Sequence, residues 1–307
     1  MLITSIRPRF EGANIRTWIG FKQLMSMVEE AVLQWHRQHG LGPHRLYHEH
    51  GLGLQIVDSS VLLAKLLEID DEVDVHVGPT SPGRFAVTVR RAHTSLVVLT
   101  AKVSVVCIRE PERTSEIPLP VVHAVDDVDL VVAPDVESTA RHVERLTRVL
   151  APDADVRSVL EASAPGALHW PWRASYFSCH YSDRVQHSAF TRALEEVVDR
   201  YLAECGLAIP QVLAERGWIP VVSKARVRTL ADAHMGEIVH TRFHVEGFLK
   251  DAAYDCRMDG FVQRGSHLVH VATANILHGY AYSRGPSAGR LVSLDPATMK
   301  TLTRRGE

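Results

Sequence analysis

Apolar residues recur at helical spacing between Gly20 and Gly40, where Leu24, Met27, Val28, Ala31, Leu33 and Trp35 supply the faces of one amphipathic helix that a glycine ends. Ser188 to Gly206 repeats the pattern with Phe190, Leu194, Val197, Val198 and Leu202. Both helices carry an acidic pair, Glu29-Glu30 and Glu195-Glu196, and both end in Gly-Leu, each time 166 residues apart. Alternation then predicts strands. Gln55–Val61 matches Val221–Val227 at the same offset, and Asp71–Val77 matches Gly236–Arg242 at 165. Arg84–Ala92 and Leu96–Ile108 close the first half, and Ala253–Gln263 and His267–Tyr280 close the second, with turns at His93-Thr94-Ser95 and Arg264-Gly265-Ser266.

An internal repeat of this kind sets the architecture before any local motif does. Each half reads as a strand, a long helix and a four-stranded antiparallel meander, an α+β arrangement in which a curved sheet wraps the helix. The expected units are residues 1–110 and 171–307, with a linker over 111–170. That linker is predicted to begin as an exposed stretch, Pro111 to Pro120, and to continue as two short helices, Glu137–Leu150 and Asp153–Ala162. It is too long for a simple connection, and a clamp between the halves is favoured over a cover for a substrate entrance.

Composition adds mostly exclusions. A net charge of -2 with interspersed acids and bases gives no footprint for nucleic acid or an anionic membrane. No secretory signal or membrane-length apolar run is readable. Cys107, Cys179, Cys205 and Cys256 lack CxxC spacing, which favours reduced thiols in a cytoplasmic protein. The 18 histidines are dispersed, with no HExxH or comparable pair, so no metal is expected.

Arg9-Phe10-Glu11, the helix with Glu29-Glu30, the strand Gly51 to Val61 and the turn Asp70-Asp71-Glu72-Val73 together resemble acyl-CoA and acyl-ACP thioesterases of the hotdog superfamily. Tyr181-Ser182-Asp183, Glu195-Glu196 and the strand to Arg228 repeat the resemblance in the second half. It covers most of both halves and implies a tandem, or double, hotdog fold. It further implies a thioester bound between the two helices, a carboxylate acting as nucleophile or through water, and helix-start N–H groups that polarise the carbonyl. No cofactor is implied; the partner is an acyl-CoA or acyl-carrier-protein thioester.

The family signature Asp-x-x-Gly-His-Val-Asn-Asn is intact in neither half. In the first, Asn14 stands where the aspartate belongs, and Asn cannot act as a base. That loop, with Arg16 and Trp18, is expected to bind rather than catalyse. In the second, strict counting pairs His180 with Asn14, whereas matching the family's spacing pairs Asp183 with its aspartate and His187 with its histidine. Both alignments stay open. Asp183 is the leading catalytic candidate as the sole carboxylate of its loop, with His187 to orient it; a helix cap is the plainer alternative. His180 and Glu195 follow, an acid on an apolar helix being a potential base, although its match in Glu29-Glu30 equally suits an architectural pair. His48 and His50, in Tyr47-His48-Glu49-His50, are expected either in an exposed loop or on the opposite wall of the site.

Thioester hydrolysis is the leading expectation. The departures from the signature and the long insert favour a bulky or specialised acyl group, of a polyketide or terpenoid kind. A hydratase or dehydratase on the same fold is the second, weakened because Ser188 stands where a histidine would follow Asp183. A non-catalytic acyl-binding protein is the third. Further assembly of copies stays open, since a fused pair already supplies the minimal hotdog dimer.

Overall fold

The computed structural model describes residues 2–110, 121–125, 128–139, 147–151 and 154–303. The first half runs β1 (Leu2–Ile6), α1 (Phe21–Gln38), α2 (Pro43–His50), β2 (Leu52–Leu63), β3 (Val73–Ser81), β4 (Arg84–Arg91) and β5 (Val97–Arg109). The insert follows as β6 (Val121–Val125), β7 (Val128–Ala133), β8 (Thr147–Val149) and α3 (Val156–Ser163). The second half contains β9 (Leu168–Arg173), α4 (His187–Glu204), α5 (Ile209–Arg216), β10 (Trp218–Thr229), β11 (Ile238–Leu249), β12 (Ala253–Arg264) and β13 (His267–Tyr282), and α6 (Pro296–Thr303) ends it.

Period-two alternation buries Val73, Val75 and Val77 of β3 and Phe85, Val87 and Val89 of β4. One continuous core joins these residues to Met25, Val28 and Val32 of α1 and to Leu194, Val197 and Val198 of α4. The main path through the sheet is β1-β3-β4-β5-β2-β10-β13-β12-β11-β9, so the second half repeats the first in reverse order across the β2–β10 seam. Those two strands pair antiparallel from Leu62–Lys224 to Asp58–Arg228. Ser60 faces Arg226, its own counterpart at the repeat offset, so a pseudo-twofold axis passes through that pair.

The repeat is finer than its hydrophobic pattern. Both helix pairs end on a left-handed glycine, Gly51 at φ 65° and Gly217 at φ 66°, a backbone conformation in which a Cβ is strained. Each seam strand also carries a bulge, between Ile56 and Asp58 in β2 and between Val222 and Lys224 in β10. A bulge shifts side-chain alternation by one residue. In β2 it aims Ser59 at the helices and leaves Asp58 to the partly exposed Arg226 ion pair.

Two expectations change. Tyr47 to His50 belong to helix α2, started by Pro43 and anchored by buried Leu46, instead of forming a loop. The helix expected over Glu137–Leu150 is replaced at its ends by a 3-10 turn, Glu137–Thr139, and by β8, which pairs with His267–Val269 of β13 and buries Leu150 beside Leu268. Residues 140–146 between them lie outside the described residues, as does the stretch Pro111 to Pro120. The second insert helix forms as α3, with Asp155 accepting from the Ser158 N–H as its cap.

Candidate active site

Glu29 lies midway along α1 on its buried face, with 7% of its surface exposed. The Ser59 hydroxyl, aimed inward by the bulge, donates to Glu29 Oε1 at 3.1 Å. Having one proton, Ser59 then accepts from His187 Nε2 at 2.9 Å, and the same nitrogen stands 3.6 Å from Glu29 Oε1. With Nε2 as the donor, His187 Nδ1 accepts from the Thr229 hydroxyl at 3.1 Å. Thr229, His187 and Ser59 therefore form a chain of donors ending at the Glu29 carboxylate. It joins α1 and β2 of the first half to α4 and β10 of the second.

Burial pushes both titrating groups toward neutrality. The Glu29 carboxyl is raised to about 7 by desolvation, against the lowering hydrogen bond from Ser59. Desolvation also lowers His187 to about 4. Near neutral pH this gives a carboxyl poised between acid and base beside an uncharged imidazole whose tautomer its neighbours fix.

Both residues line a cavity of about 550 Å³. Its outer part carries exposed Arg7, Arg9, Glu11 and Glu30, and its inner part includes buried Met27 and Leu54. The start of α4 forms another wall through Gln186, His187 and Ser188. The Ala189 N–H turns back to the Gln186 carbonyl at 3.0 Å, and no side-chain cap is found among the described residues, so the His187 and Ser188 N–H groups are left as donors where the dipole is positive.

The structure sorts the expected site residues unevenly. His187 and His180 line the cavity. His180 Nε2 donates to Gln55 Oε1 at 2.7 Å, and burial lowers its pKa to about 4. Asp183 does not line the cavity: its side chain is 60% exposed and faces His234 Nδ1 at 3.2 Å. The physical reason is register. The bridges Ala13–Ile19 and Trp18–Glu68 recur as Cys179–Val185 and Arg184–His234, each at the 166 offset. Strict counting therefore holds at the ends of the loop, and the Asp183–His234 contact occupies the place of the Thr17–Glu68 hydrogen bond.

Glu195 likewise does not line the cavity. Half-buried, it pairs with Lys22 Nζ at 2.6 Å. Its twin Glu29 has Ser188 at the position matching Lys22, Ser59 at the position matching Ala225, and His187 at the position matching Phe21. Asn14 packs against the start of α1, where a Cβ on Gly20 would come within 2.6 Å of its amide. Arg16 lies 5.8 Å from the Trp18 ring, and Trp18 packs on Ile219 and Ala281. None of these three lines the cavity, nor do His48 and His50 on α2, although Tyr47 of that helix stacks on cavity-lining Tyr181 at 5.7 Å. Sequence reasoning placed Glu29 only in an architectural pair and passed over Ser59 and Thr229; the available signal was a serine on a strand whose twin has alanine there.

Arg184 holds the loop that carries His180 and His187. Its Nη1 donates to both Glu110 oxygens at 3.0 Å, and its Nε donates to Asp232 Oδ2 at 3.3 Å, all three groups being largely buried. Gly53 is required beside them, since a Cβ there would lie 2.4 Å from Glu110 Oε1 and 3.2 Å from the Tyr181 ring.

No family model and no curated protein matches the sequence. Solved structures do match in fold. A Lactobacillus plantarum protein assigned as an oleoyl thioesterase superposes with TM-score 0.57 at 11% identity, over 90% of this chain and 94% of that one. The 12:0-ACP thioesterase of Umbellularia californica gives 0.56 at 13% identity over 90% and 93%, and an acyl-ACP thioesterase of Bacteroides thetaiotaomicron gives 0.54 at 10% over 90% and 96%. The chain is a double hotdog. Within this double hotdog the polar chain at Glu29 has no copy: the matching positions around Glu195 hold a lysine, an alanine and a phenylalanine.

Proposed function

We propose that this double hotdog hydrolyses an acyl thioester carried by coenzyme A or an acyl carrier protein, with Glu29 as general base. The observation that carries the reading is the buried donor chain Thr229–His187–Ser59–Glu29 on a cavity beside an uncapped helix start. The fold's structural neighbours bear thioesterase names, which supports the same reaction class. Ionised Glu29 takes a proton from water, and the oxygen attacks the thioester carbonyl. The oxyanion develops against N–H groups at the start of α4. On collapse the C–S bond breaks, and the leaving thiolate recovers the proton from Glu29. His187 stays neutral; through Ser59 it keeps Glu29 Oε1 in place and leaves Oε2 for the water.

A thiol-release assay over a panel of acyl-CoA and acyl-carrier-protein esters tests the reaction. Its pH profile tests the base. Glu29 acts ionised, so kcat/KM is expected to rise with pH through about 7 and then level off. No matching fall from His187 is expected above pH 5, because its pKa stays near 4. A profile flat from pH 5 to 9 would remove Glu29 as the base.

The Lys22–Glu195 pair supplies a second test. Ser188→Lys would place an ammonium beside Glu29 as Lys22 stands beside Glu195. The pairing should lower the Glu29 pKa and weaken it as a base, reducing hydrolysis at pH 8 by about 100-fold. The rising limb should also move to lower pH. Unchanged activity would show that the two helix starts are not equivalent in space.

A further inference from the structure

Resting on the thioesterase reading, we propose that Leu54 is the specificity-determining back wall of the acyl site, and that the acyl chain this enzyme accepts ends against it. Leu54 is buried on β2 and lines two separate spaces. In front of it lies the catalytic cavity. Behind it lies a pocket of about 10 Å³ between β5 and insert strand β7, with room for little more than one water.

Helix α1 connects the two spaces. Leu33, one turn beyond Glu29, lines the first, and His36, two turns beyond, lines the second, about 10 Å along the axis from Glu29. An acyl chain whose carbonyl meets Glu29 and whose tail follows α1 is therefore directed at Leu54. His36 is 1% exposed, neither ring nitrogen has a hydrogen-bond partner among the described residues, and its ring packs on Phe85. A buried imidazole without partners is costly to keep, and it makes the rear pocket more favourable to a hydroxyl than to a methyl end. Strand β7 supplies Leu130 and Val131 as the far side, so the insert closes the back of this site.

The test compares wild type, Leu54→Ala and Leu54→Phe over saturated acyl-CoA esters of increasing length. Each methylene buried is worth about fourfold in binding, so a chain that meets the wall should show a sharp drop in kcat/KM at one length. Leu54→Ala removes about three carbons of side chain and should move that drop to chains about three carbons longer, with a further gain for ω-hydroxy esters. Leu54→Phe should move it to shorter chains. Calorimetric binding of the same esters on a Glu29→Gln background reads the length limit without turnover. A limit that stays at the same carbon number in both variants, by rate and by binding, would overturn the role of Leu54. A moving binding limit without wild-type thiol release would instead overturn the hydrolytic reading and leave Leu54 as the wall of a binding site.

Discussion

Replacing Glu29 by glutamine is expected to cut thiol release by about 10³-fold, the loss typical of a removed general base. Glutamine keeps the shape, and its carbonyl still accepts from Ser59, so the site should assemble without its proton acceptor. The same substitution should change stability in the opposite sense. The folded carboxyl holds its proton up to about pH 7, whereas the unfolded one releases it near 4.5. Between those values the unfolded chain binds fewer protons, so wild-type stability falls as pH rises, by about 3 kcal/mol over the window. His187 contributes a slope of opposite sign from 6.5 down to about 4, since its depressed pKa makes acid destabilising. Glutamine removes the first slope only. Denaturant melts at pH 5 and pH 8 should therefore show Glu29→Gln gaining on wild type at the higher pH. Undiminished turnover, or equal stability differences at both pH values, would dismiss Glu29 as a buried base.

Arg184→Met is expected to be the most destabilising single change, costing about 3–5 kcal/mol, because it strands two buried carboxylates. Glu110 is 2% exposed, and burial already raises the Asp232 pKa against the lowering influence of Arg184. The thermal midpoint should drop by roughly 10 °C. Adding Glu110→Gln and Asp232→Asn to the same chain should restore much of it, since the remaining amides carry no charge to desolvate. Scanning calorimetry of the single and triple variants checks this. A loss below 1 kcal/mol in the single variant would mean that water already reaches the pair.

The fold was legible because helix, cap and strands recur at one offset. The structure extends that offset to β1 and β9, whose first residues Leu2 and Leu168 lie 166 apart, and to both bulges. The first insert helix was misread because Val149 and Leu150 suit either a helix face or a short edge strand, and only pairing with β13 decides between them. The site was less legible for a different reason. Glu29 and Glu195 sit in matching sequence frames, and what separates them comes partly from the strand beneath each helix and partly from across the seam. Ser59 approaches from β2, His187 and Thr229 from the other half, whereas Glu195 receives Lys22. Asp183 attracted attention through its chemistry, while loop pairing had already turned it toward His234.

The Ser60–Arg226 pair at the pseudo-twofold axis lies within a single polypeptide. In a homodimer with this symmetry, any codon change would be written at both ends of the interface. A lysine introduced at one helix start would appear at the other and would neutralise both glutamates together. Here the change can be inherited by one copy alone, as at Lys22 and Glu195, while Glu29 keeps its serine. Fusion therefore lets the two equivalent helix pairings diverge separately, and it makes the partner's presence independent of dilution.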